Sequence, residues 1–480
     1  MSEASIYLGQ KGYTIYKNDL CIKEQQYLRE ELNVRPYLPK SPIQPPGFAI
    51  YKESFKKIYI PRFFGIENYG EPEEIRLNDG IDINIDFKGD LRDYQKNIVN
   101  VYKKNVNETS GGGGLLEIPC GRGKTVIALN IIAQMKKKTL VIVHKGFLMD
   151  QWIERIEQFL PDAKVGKIQG QIIDIEDKDI VIGMLQSLSM KKYPSDLFEQ
   201  FGLTIVDECH HISSEVFSRS LQSIITKYTL GLSATMQRKD GLTKVFKMFL
   251  GDIIYKEKRE GCDNVLVKSI KYEVDDDDFN EIEYDYRGNP KFSTMITKLC
   301  TYNRRSEFIL NVIKNELKIH KNQQILVLGH NKNLLVYLFK AIEHRNIASV
   351  GYYLGGMKNA DLKESETKTV IIATYAMAQE ALDIKSLSTL LMATPKVDIT
   401  QAVGRILRVK HERPLVIDIV DSHELFIKQW AKRKKFYDKN KYNVIHTTSK
   451  LYDSDEWTQD TVKKKEKKEK SIKGKCLINI

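Results

Sequence analysis

The sequence predicts an α/β protein with two parallel sheets that follow each other along the chain, and two observations support this fold class. Short apolar runs typical of buried strands recur from residue 91 onward, and segments of helical length lie between most of them. Alternating strands and helices predict βαβ units and therefore parallel pairing. A charged stretch interrupts the alternation near the middle of the chain, so the strands form two groups and predict two domains.

The first group lies in a domain predicted at residues 91–255. Its predicted strands are residues 115–118, 139–143, 180–183, 203–206 and 228–232. Residues 125–135 and 147–159 have helical length and separate these strands. A strand followed by a helix and another strand in the same sheet is the ordinary unit of a parallel sheet.

The second group lies in a domain predicted at residues 291–427. Its predicted strands are residues 324–329, 349–353, 369–374, 390–393 and 414–419. Residues 256–290 are charged and include four consecutive aspartates, so we predict a linker between the two domains there.

The two ends of the chain differ from these domains. Residues 1–90 mix alternating apolar residues with frequent Pro and Gly, which predicts a small β-containing accessory domain. Within it we expect four aromatic side chains to pack in the core rather than stack on bases: Tyr51, Tyr59, Phe63 and Phe64. Residues 428–480 become rich in lysine and predict a solvated basic C-terminal extension.

The charge of the chain suggests a polyanionic partner. It carries 75 basic and 63 acidic residues, for a formal net charge of +12. Residues 428–475 contain 16 basic and seven acidic residues, so most of the excess belongs to the predicted extension. Such a charge favours nucleic acid over a membrane surface, although a merely basic protein was an equal alternative on charge alone.

Composition also excludes several classes of protein. A hydrophobic content of 42% excludes collagenous and wholly disordered chains. The six cysteines include no CxxC pair, which argues against a disulfide framework or a zinc ribbon. Because the sequence has neither a leader pattern nor an apolar run near the ~20 residues of a membrane span, we expect a soluble intracellular protein without membrane contact.

A segment with the character of a phosphate-binding loop follows the first predicted strand. Glycines there turn backbone N–H groups toward a phosphate, and the following helix adds its favourable dipole. We expect Lys124 to reach the β- and γ-phosphates of a nucleotide, and the Thr125 hydroxyl to ligate Mg²⁺. The nucleotide-binding residues predicted in this segment are Ile118, Pro119, Cys120, Gly121, Arg122, Gly123, Lys124 and Thr125. The general motif has glycine where Ile118 stands, so the match alone is weak.

An acidic pair follows the strand predicted at residues 203–206. Carboxylates at the carboxyl end of a parallel strand face the ligand crevice. We therefore expect Asp207 to hold Mg²⁺, and Glu208 to act as the general base toward an attacking water. The alternative interpretation is that both acids are simply solvated at the end of the strand. The phosphate-loop motif earlier in the chain makes this alternative less favoured.

Together with further segments, these motifs resemble those of superfamily 2 helicases of the DExH type. The segments that carry the resemblance, in the order of the family, are residues 91–95, 119–125, 143–145, 186–187, 207–210, 233–235, 373–383 and 401–408. It is nearest to the xeroderma-pigmentosum-B branch and to helicases of large DNA viruses, and it implies two RecA-like motor domains. Ala381 departs from the usual glycine of its motif.

The resemblance implies a role for each matching residue. Adenine contact is implied for Arg92 and Gln95, and contact with a nucleic-acid strand for Lys145, Gln186 and Thr374. Coupling between the motor domains is implied for Ser233, Thr235 and Asp383. The resemblance assigns catalytic roles to Lys124, Asp207 and Glu208. It also assigns catalytic roles to four further residues: His210, Gln401, Arg405 and Arg408. Simpler alternatives are a structural pair between Arg405 and Asp383, a helix cap at Gln186 and a solvated Lys145.

The function that the resemblance implies is ATP-dependent movement along nucleic acid, DNA rather than RNA, with 3′→5′ polarity and Mg-ATP as the cofactor. The alternatives are a double-strand DNA translocase that does not separate strands, an RNA helicase, and a binding scaffold with an inactive ATP site. Transcription or replication proteins are candidate partners. If the protein is viral, host cytoplasm, viral factory and virion are its candidate locations.

Overall fold

The computed structural model describes residues 5–38, 43–119, 121–194, 196–211, 215–236, 238, 240–257, 264–380, 382 and 384–459. The chain divides into two compact units, residues 1–260 and 261–480. Cys120, Asp383 and the lysine-rich residues 463–470, for which the sequence makes predictions, lie outside the described residues.

The first unit begins with an accessory layer. Its helices are α1 (Ile22–Glu31) and α2 (Arg62–Tyr69). Its strands are β1 (Ile6–Gly9), β2 (Gly12–Tyr16), β3 (Asn33–Val34), β4 (Phe48–Ala49), β5 (Lys52–Glu53), β6 (Lys57–Ile60) and β7 (Glu74–Ile75). Five of them form a sheet in the order β5-β6-β2-β1-β7, while β3 pairs with β4. Arg62 at the start of α2 joins this layer to the rest of the unit, because its guanidinium donates to the carbonyls of Lys227 and Ser110.

The rest of the first unit is a layered α/β domain around an eight-stranded sheet in the order β11-β10-β12-β9-β13-β14-β8-β15. Its strands are β8 (Gly112–Glu117), β9 (Thr139–Val143), β10 (Val165–Gln169), β11 (Ile172–Asp174), β12 (Ile180–Met184), β13 (Leu203–Asp207), β14 (Tyr228–Ser233) and β15 (Ile253–Lys256). Its helices are α3 (Asp93–Asn105), α4 (Lys124–Met135), α5 (Gly146–Phe159), α6 (Leu185–Met190), α7 (Glu215–Leu221) and α8 (Thr243–Leu250). All pairs are parallel except β10 with β11.

Both faces of this sheet are covered by apolar side chains. The successive residues Leu115 and Leu116 of β8 belong to separate core clusters, because side chains alternate between the faces of a strand. Helix α4 is buried on nearly every side between Ile127 and Ala133. A parallel sheet that is buried on both faces requires continuous apolar strands, which explains why the sequence predicts these strands so clearly.

The second unit repeats this architecture with an eight-stranded sheet in the order β18-β19-β17-β20-β21-β16-β22-β23. Its strands are β16 (Leu266–Tyr272), β17 (Gln324–Gly329), β18 (Val350–Tyr353), β19 (Val370–Thr374), β20 (Leu387–Met392), β21 (Leu415–Asp421), β22 (Asn443–Thr448) and β23 (Thr458–Gln459). Its helices are α9 (Asp277–Asn280), α10 (Phe292–Thr301), α11 (Asn303–Ile319), α12 (Lys332–His344), α13 (Asn359–Ser365), α14 (Tyr375–Glu380), α15 (Thr400–Arg405) and α16 (Glu424–Lys439). Only β22 and β23 pair antiparallel in the part that the structure describes.

The predicted fold class, two parallel-sheet domains with an accessory β domain before them, is confirmed. Each of the ten predicted core strands corresponds to a strand of one of the two large sheets, with bounds that differ by at most a few residues. Among the described residues, no helix is both long and apolar enough to cross a bilayer.

The structure differs from the sequence prediction in the segment expected to be a linker. Residues 266–272 of that segment form β16, which lies between β21 and β22 in the second sheet. The strand was hidden because Lys268 and Lys271 interrupt its apolar pattern. Lys268 is nonetheless buried, and its ammonium pairs with the buried carboxylate of Glu316.

The structure also differs at the predicted C-terminal extension. Residues 428–459 complete α16 and form β22 and β23, which belong to the second sheet. Arg433 and Tyr437 of α16 are fully buried and both bind the buried carboxylate of Asp418. Of the two lysines between them, Lys435 is exposed and Lys434 is half-buried, so a high lysine content concealed an amphipathic helix.

Candidate ATP site

The phosphate loop lies between the end of β8 and the start of α4. Gly121 and Gly123 have φ angles of 81° and 78°, in the left-handed region that favours glycine. A Cβ at Gly123 would lie 2.5 Å from Nε2 of Gln95, so a larger residue there would displace the end of that side chain. Ile118 is completely buried and its N–H donates to the Ser233 carbonyl, so its side chain faces the core rather than the loop.

The end of β13 brings the acidic pair against the phosphate loop. The ammonium of Lys124 lies 2.7 Å from Oε1 of Glu208, and both side chains are largely buried. Glu208 has a φ of 47°, which is uncommon for a residue with a side chain. This backbone turn directs Glu208 to the loop, although Glu208 directly follows Asp207 at the end of the strand. The three groups that the resemblance assigns to phosphate, Mg²⁺ and water are therefore neighbours.

Trp152 is a residue of the site that the sequence did not reveal. The indole N–H of this side chain, which belongs to α5 and is 1% exposed, donates to Oδ2 of Asp207 at 2.9 Å. The backbone N–H of Glu208 donates to the other oxygen, Oδ1, at 3.0 Å. Burial and the neighbouring Glu208 raise the pKa of Asp207, which the ammonium of Lys124 opposes. The spacing between Trp152 and the acidic pair gives no signal in sequence, because the contact joins different βα units.

A hydrogen-bond chain leads from the acidic pair to the end of β14. Nδ1 of His210 lies 2.8 Å from Oγ of Ser233. Oγ of Ser233 is also 3.4 Å from Oε2 of Glu208 and donates to the carbonyl of Thr235. Burial lowers the pKa of His210, so the imidazole is the neutral form near pH 7. The guanidinium of Arg238, a second missed residue, binds the His210 carbonyl.

Gln95 holds the phosphate loop in place. Its Oε1 accepts from the backbone N–H of Arg92 at 2.9 Å, and its Nε2 donates to the carbonyl of Arg122 at 3.2 Å. The Arg122 guanidinium lies 4.0 Å from the ring centroid of Tyr94 and pairs with Glu257. The structure thus places Gln95 and Arg92 beside the loop, where the resemblance implies that adenine binds.

The residues at the loop fit a magnesium nucleotide. Mg²⁺ is held by one or two carboxylates, a hydroxyl and substrate phosphates rather than by a closed cage of protein ligands. Thr125 begins α4 beside Lys124, and Asp207 supplies a buried carboxylate. Across the described residues, no group of three or more His, Cys, Asp or Glu side chains converges on one point. The donor set therefore suits a cation that the phosphates of a nucleotide help to hold.

The residues assigned to strand contact follow other strands. In the first unit, the carboxyl ends of β9 and β12 lie at the same edge of the sheet as the end of β13, because these strands are parallel. Lys145 follows β9 and is half-buried at the start of α5, whereas Gln186 follows β12 and is exposed. The N-cap of α6 is Met184, so Gln186 does not serve as the cap. Thr374 ends β19 in the second unit, where its hydroxyl accepts from the N–H of Met377 at 3.4 Å.

Arg405 of the second unit has a structural partner that the sequence did not predict. Its side chain is buried and donates to the carbonyls of Ala378 at 2.6 Å and Leu382 at 2.9 Å. It therefore connects α15 with the segment at the end of α14 that the resemblance assigns to coupling. Gln401 and Arg408, which flank it in the same motif, are half-buried.

Comparisons with known proteins agree with these motifs. The family model described as "Type III restriction enzyme, res subunit" matches residues 88–238. A protein of Acanthamoeba polyphaga mimivirus, named as a candidate ATP-dependent RNA helicase, is 37% identical over 455 residues, which are 90% of this chain and 85% of that protein. A candidate helicase of Invertebrate iridescent virus 6 is 27% identical over 75% of this chain and 83% of its own length. A candidate ATP-dependent RNA helicase of African swine fever virus is 27% identical over 74% of each chain.

Proposed function

The chain belongs to the helicase family that these viral relatives represent, and we propose that it couples hydrolysis of Mg-ATP to 3′→5′ movement along DNA and to strand separation. The observation that carries the proposal is the contact of Lys124 with Glu208 beside Asp207 at the phosphate loop. A phosphate-binding cation, a metal-binding carboxylate and a base are the groups that hydrolysis of a nucleoside triphosphate requires.

Each residue of the loop has a defined task in this proposal. Lys124 leaves Glu208 to bind the β- and γ-phosphates, which frees the Glu208 carboxylate to accept a proton from the attacking water. Thr125 and Asp207 hold Mg²⁺, which neutralises charge on the phosphates when it is bound. Trp152 keeps Asp207 oriented through its N–H. Backbone N–H groups at the start of α4 stabilise the phosphate oxygens.

Hydrolysis is coupled to movement through the hydrogen bonds behind the acidic pair. His210 and Ser233 connect Glu208 to the segment at the end of β14, so a change at the phosphates alters that segment. In the second unit Arg405 holds the end of α14 through its hydrogen bonds to backbone carbonyls. The resemblance assigns Arg405 and Arg408 to the γ-phosphate oxygens, and Gln401 to the water or the phosphate. Arginine suits that task because its planar fork stays charged and binds phosphate oxygens bidentately.

The alternatives to a DNA helicase are an RNA helicase and a double-strand DNA translocase. Two of the viral relatives are named as candidate RNA helicases, which is the observation that favours the first. Strand displacement from 3′- or 5′-tailed DNA and RNA duplexes separates the three. We expect displacement of DNA with a 3′ tail; displacement of RNA alone, or ATP hydrolysis without any displacement, would establish one of the alternatives.

The biological setting that we propose is viral transcription, replication or repair, with proteins of those processes as partners. It rests on the viral source of the relatives. Placement near the xeroderma-pigmentosum-B branch rests on residues 91–95, 231–241 and 380–384. If the protein is viral, labelling it in infected cells tests the setting, because we expect it in the host cytoplasm, in viral factories or in virions.

A further inference from the structure

The outward face of the accessory sheet carries aromatic rings and cations together. On the inward face Leu8, Ile15, Ile58 and Ile60 are buried in the core. Successive side chains of a strand point to opposite faces, so the residues between these apolar ones point outward. They include Tyr7 of β1, Tyr16 of β2 and Tyr59 of β6, all half-buried.

The strand register places the three tyrosines side by side. Thr14 of β2 pairs with Tyr7 on one side and with Tyr59 on the other, and Tyr16 pairs with Lys57. The ring centroids of Tyr7 and Tyr16 are 6.5 Å apart. Tyr7 and Tyr16 are thus in ring contact, and Tyr59 lies on the same outward face on the far side of Thr14.

Cations lie over the same rings. The ammonium of Lys57 is 4.3 Å from the ring centroid of Tyr16 and 5.0 Å from that of Tyr7. The guanidinium of Arg76 lies 3.9 Å from the Tyr7 centroid, and the ammonium of Lys11 lies 5.3 Å from that of Tyr59. We define the tyrosine face as Tyr7, Tyr16, Tyr59, Lys11, Lys57 and Arg76.

The cations of the tyrosine face are only lightly neutralised. The ammonium of Lys57 donates to the Tyr7 hydroxyl at 3.0 Å, and within the described ranges neither Lys57 nor Lys11 forms a salt bridge with a carboxylate. Arg76 pairs with Glu74, but both are partly exposed, and pairs of this kind contribute little and exchange readily with another anion. Three cations against one acid give the face a positive charge complementary to phosphates.

We propose that the tyrosine face binds a single strand of nucleic acid. Aromatic rings in a row accept the faces of successive bases, and cations between the rings bind the phosphates that join them. A duplex keeps its bases stacked on each other and offers no free base faces, so a single strand is the occupant that matches both features. The inference rests on the proposed function only for the class of ligand, because it concerns a surface remote in sequence from the ATP motifs.

Binding of labelled oligothymidine to the full chain without nucleotide tests the proposal. Replacing all three tyrosines by leucine (Tyr7→Leu, Tyr16→Leu, Tyr59→Leu) is expected to weaken binding by about tenfold or more, since it removes the stacking surfaces. The corresponding triple phenylalanine variant keeps the rings but removes the Tyr7 hydroxyl that Lys57 binds, so it is expected to lose much less affinity than the leucine variant. Tyr286→Leu is the matched control, because that tyrosine is 88% exposed and lies in the second unit.

The cations are tested by the salt dependence of the same binding. The triple variant Lys11→Gln, Lys57→Gln, Arg76→Gln is expected to reduce the slope of log affinity against log salt by about 2, because each phosphate contact on a single strand contributes about 0.7. An unchanged slope together with unchanged binding of the leucine variant would overturn the proposal.

Photo-crosslinking of the unaltered chain keeps the test independent of whether the variants fold. Oligonucleotides that carry 5-iodouracil are expected to crosslink to peptides containing Tyr7, Tyr16 or Tyr59, and crosslinks confined to other peptides would overturn the inference. Oligothymidine, oligouridine and a blunt duplex form the three arms, and preference for the duplex would also overturn it. Crosslinks at the tyrosine face in a protein that does not hydrolyse ATP would support this inference and contradict the proposed function. ATP hydrolysis without crosslinks at the tyrosine face would support the proposed function and contradict this inference.

Discussion

The indole of Trp152 donates its N–H to Asp207, the carboxylate that we assign to Mg²⁺, at a distance of 2.9 Å. The contact joins α5 to the end of β13 inside the first unit. Because Lys145 lies at the start of α5, the same helix carries a residue assigned to strand contact and a residue that orients the metal-binding carboxylate. In our proposal, a shift of α5 on strand binding would act on Asp207 through this hydrogen bond.

Trp152→Phe tests this relationship. The variant keeps an aromatic ring in the core but removes the donor, so Asp207 loses one of its two hydrogen bonds. Groups that orient metal ligands commonly change metal affinity or activity by 10- to 100-fold. We expect the Mg²⁺ concentration for half-maximal ATP hydrolysis to rise about tenfold, as measured by titration at saturating ATP. Trp430→Phe is the control, and an unchanged Mg²⁺ requirement in Trp152→Phe would contradict the assignment.

Lys124→Ala tests the phosphate loop. Removing the ammonium removes the phosphate contact and leaves Glu208 without the partner seen at 2.7 Å. We expect ATP hydrolysis to fall at least a thousandfold while circular dichroism shows a folded chain. Lys104→Ala, on the exposed surface of α3, is the matched control. Turnover retained by Lys124→Ala would show that the loop has been misassigned.

Arg405 and Arg408 are expected to respond differently to replacement by lysine. Arg405→Lys removes two hydrogen bonds to buried carbonyls, which should lower the free energy of unfolding by about 2 kcal/mol or more as well as stopping hydrolysis. Arg408→Lys should reduce hydrolysis about a thousandfold with a smaller loss of stability, because Arg408 is half-buried. Urea denaturation and ATPase assays on both variants make the comparison. If Arg405→Lys hydrolyses ATP at the rate of the unaltered chain, Arg405 has only a structural role.

Stability of the second unit should decrease in mild acid. Burial, with a smaller contribution from Lys396, lowers the pKa of His330 from 6.5 to about 4. His330 therefore binds a proton below about pH 6.5 in the unfolded chain but only below about pH 4 in the folded chain. The free energy of unfolding consequently decreases as the pH falls from about 6.5 to about 4. His330→Asn keeps a polar group near Oγ1 of Thr394 and should flatten the dependence, as followed by urea denaturation. His344→Asn, at the exposed end of α12, should leave it unchanged.

The sequence predicted the strands of both large sheets because most of them are continuous apolar runs flanked by helices. It failed at β16 because a buried lysine with a buried acidic partner looks like a linker residue, and at α16 because its lysines outnumber the few buried side chains. The sequence predicts the phosphate loop and the acidic pair from two contiguous segments, and the structure brings the two segments together through Lys124 and Glu208. Trp152 and Arg238 escaped prediction because their partners lie in other βα units, and only the folded sheet brings them together.

Tyr59 is a further position at which the sequence predicted the strand but not the burial of the side chain. Its alternation with Ile58 and Ile60 correctly indicates a strand, but alternation alone does not say which set of residues faces the core. Phe64 is buried as expected, and Tyr51 packs against the core, whereas Tyr59 lies outward beneath Lys11. The core position expected for all four aromatic residues is therefore wrong for Tyr59, and Phe63 is only half-buried.

The most direct test of the account is the rate of ATP hydrolysis by the purified full chain, measured with Mg²⁺ alone and with single- or double-stranded DNA or RNA added. Lys124→Ala measured in parallel gives the background. The account predicts that nucleic acid stimulates hydrolysis severalfold, with single-stranded DNA the strongest stimulator, and that Lys124→Ala shows none of it. Absence of hydrolysis above that background with every nucleic acid would contradict the central claim that this chain is an ATP-driven motor.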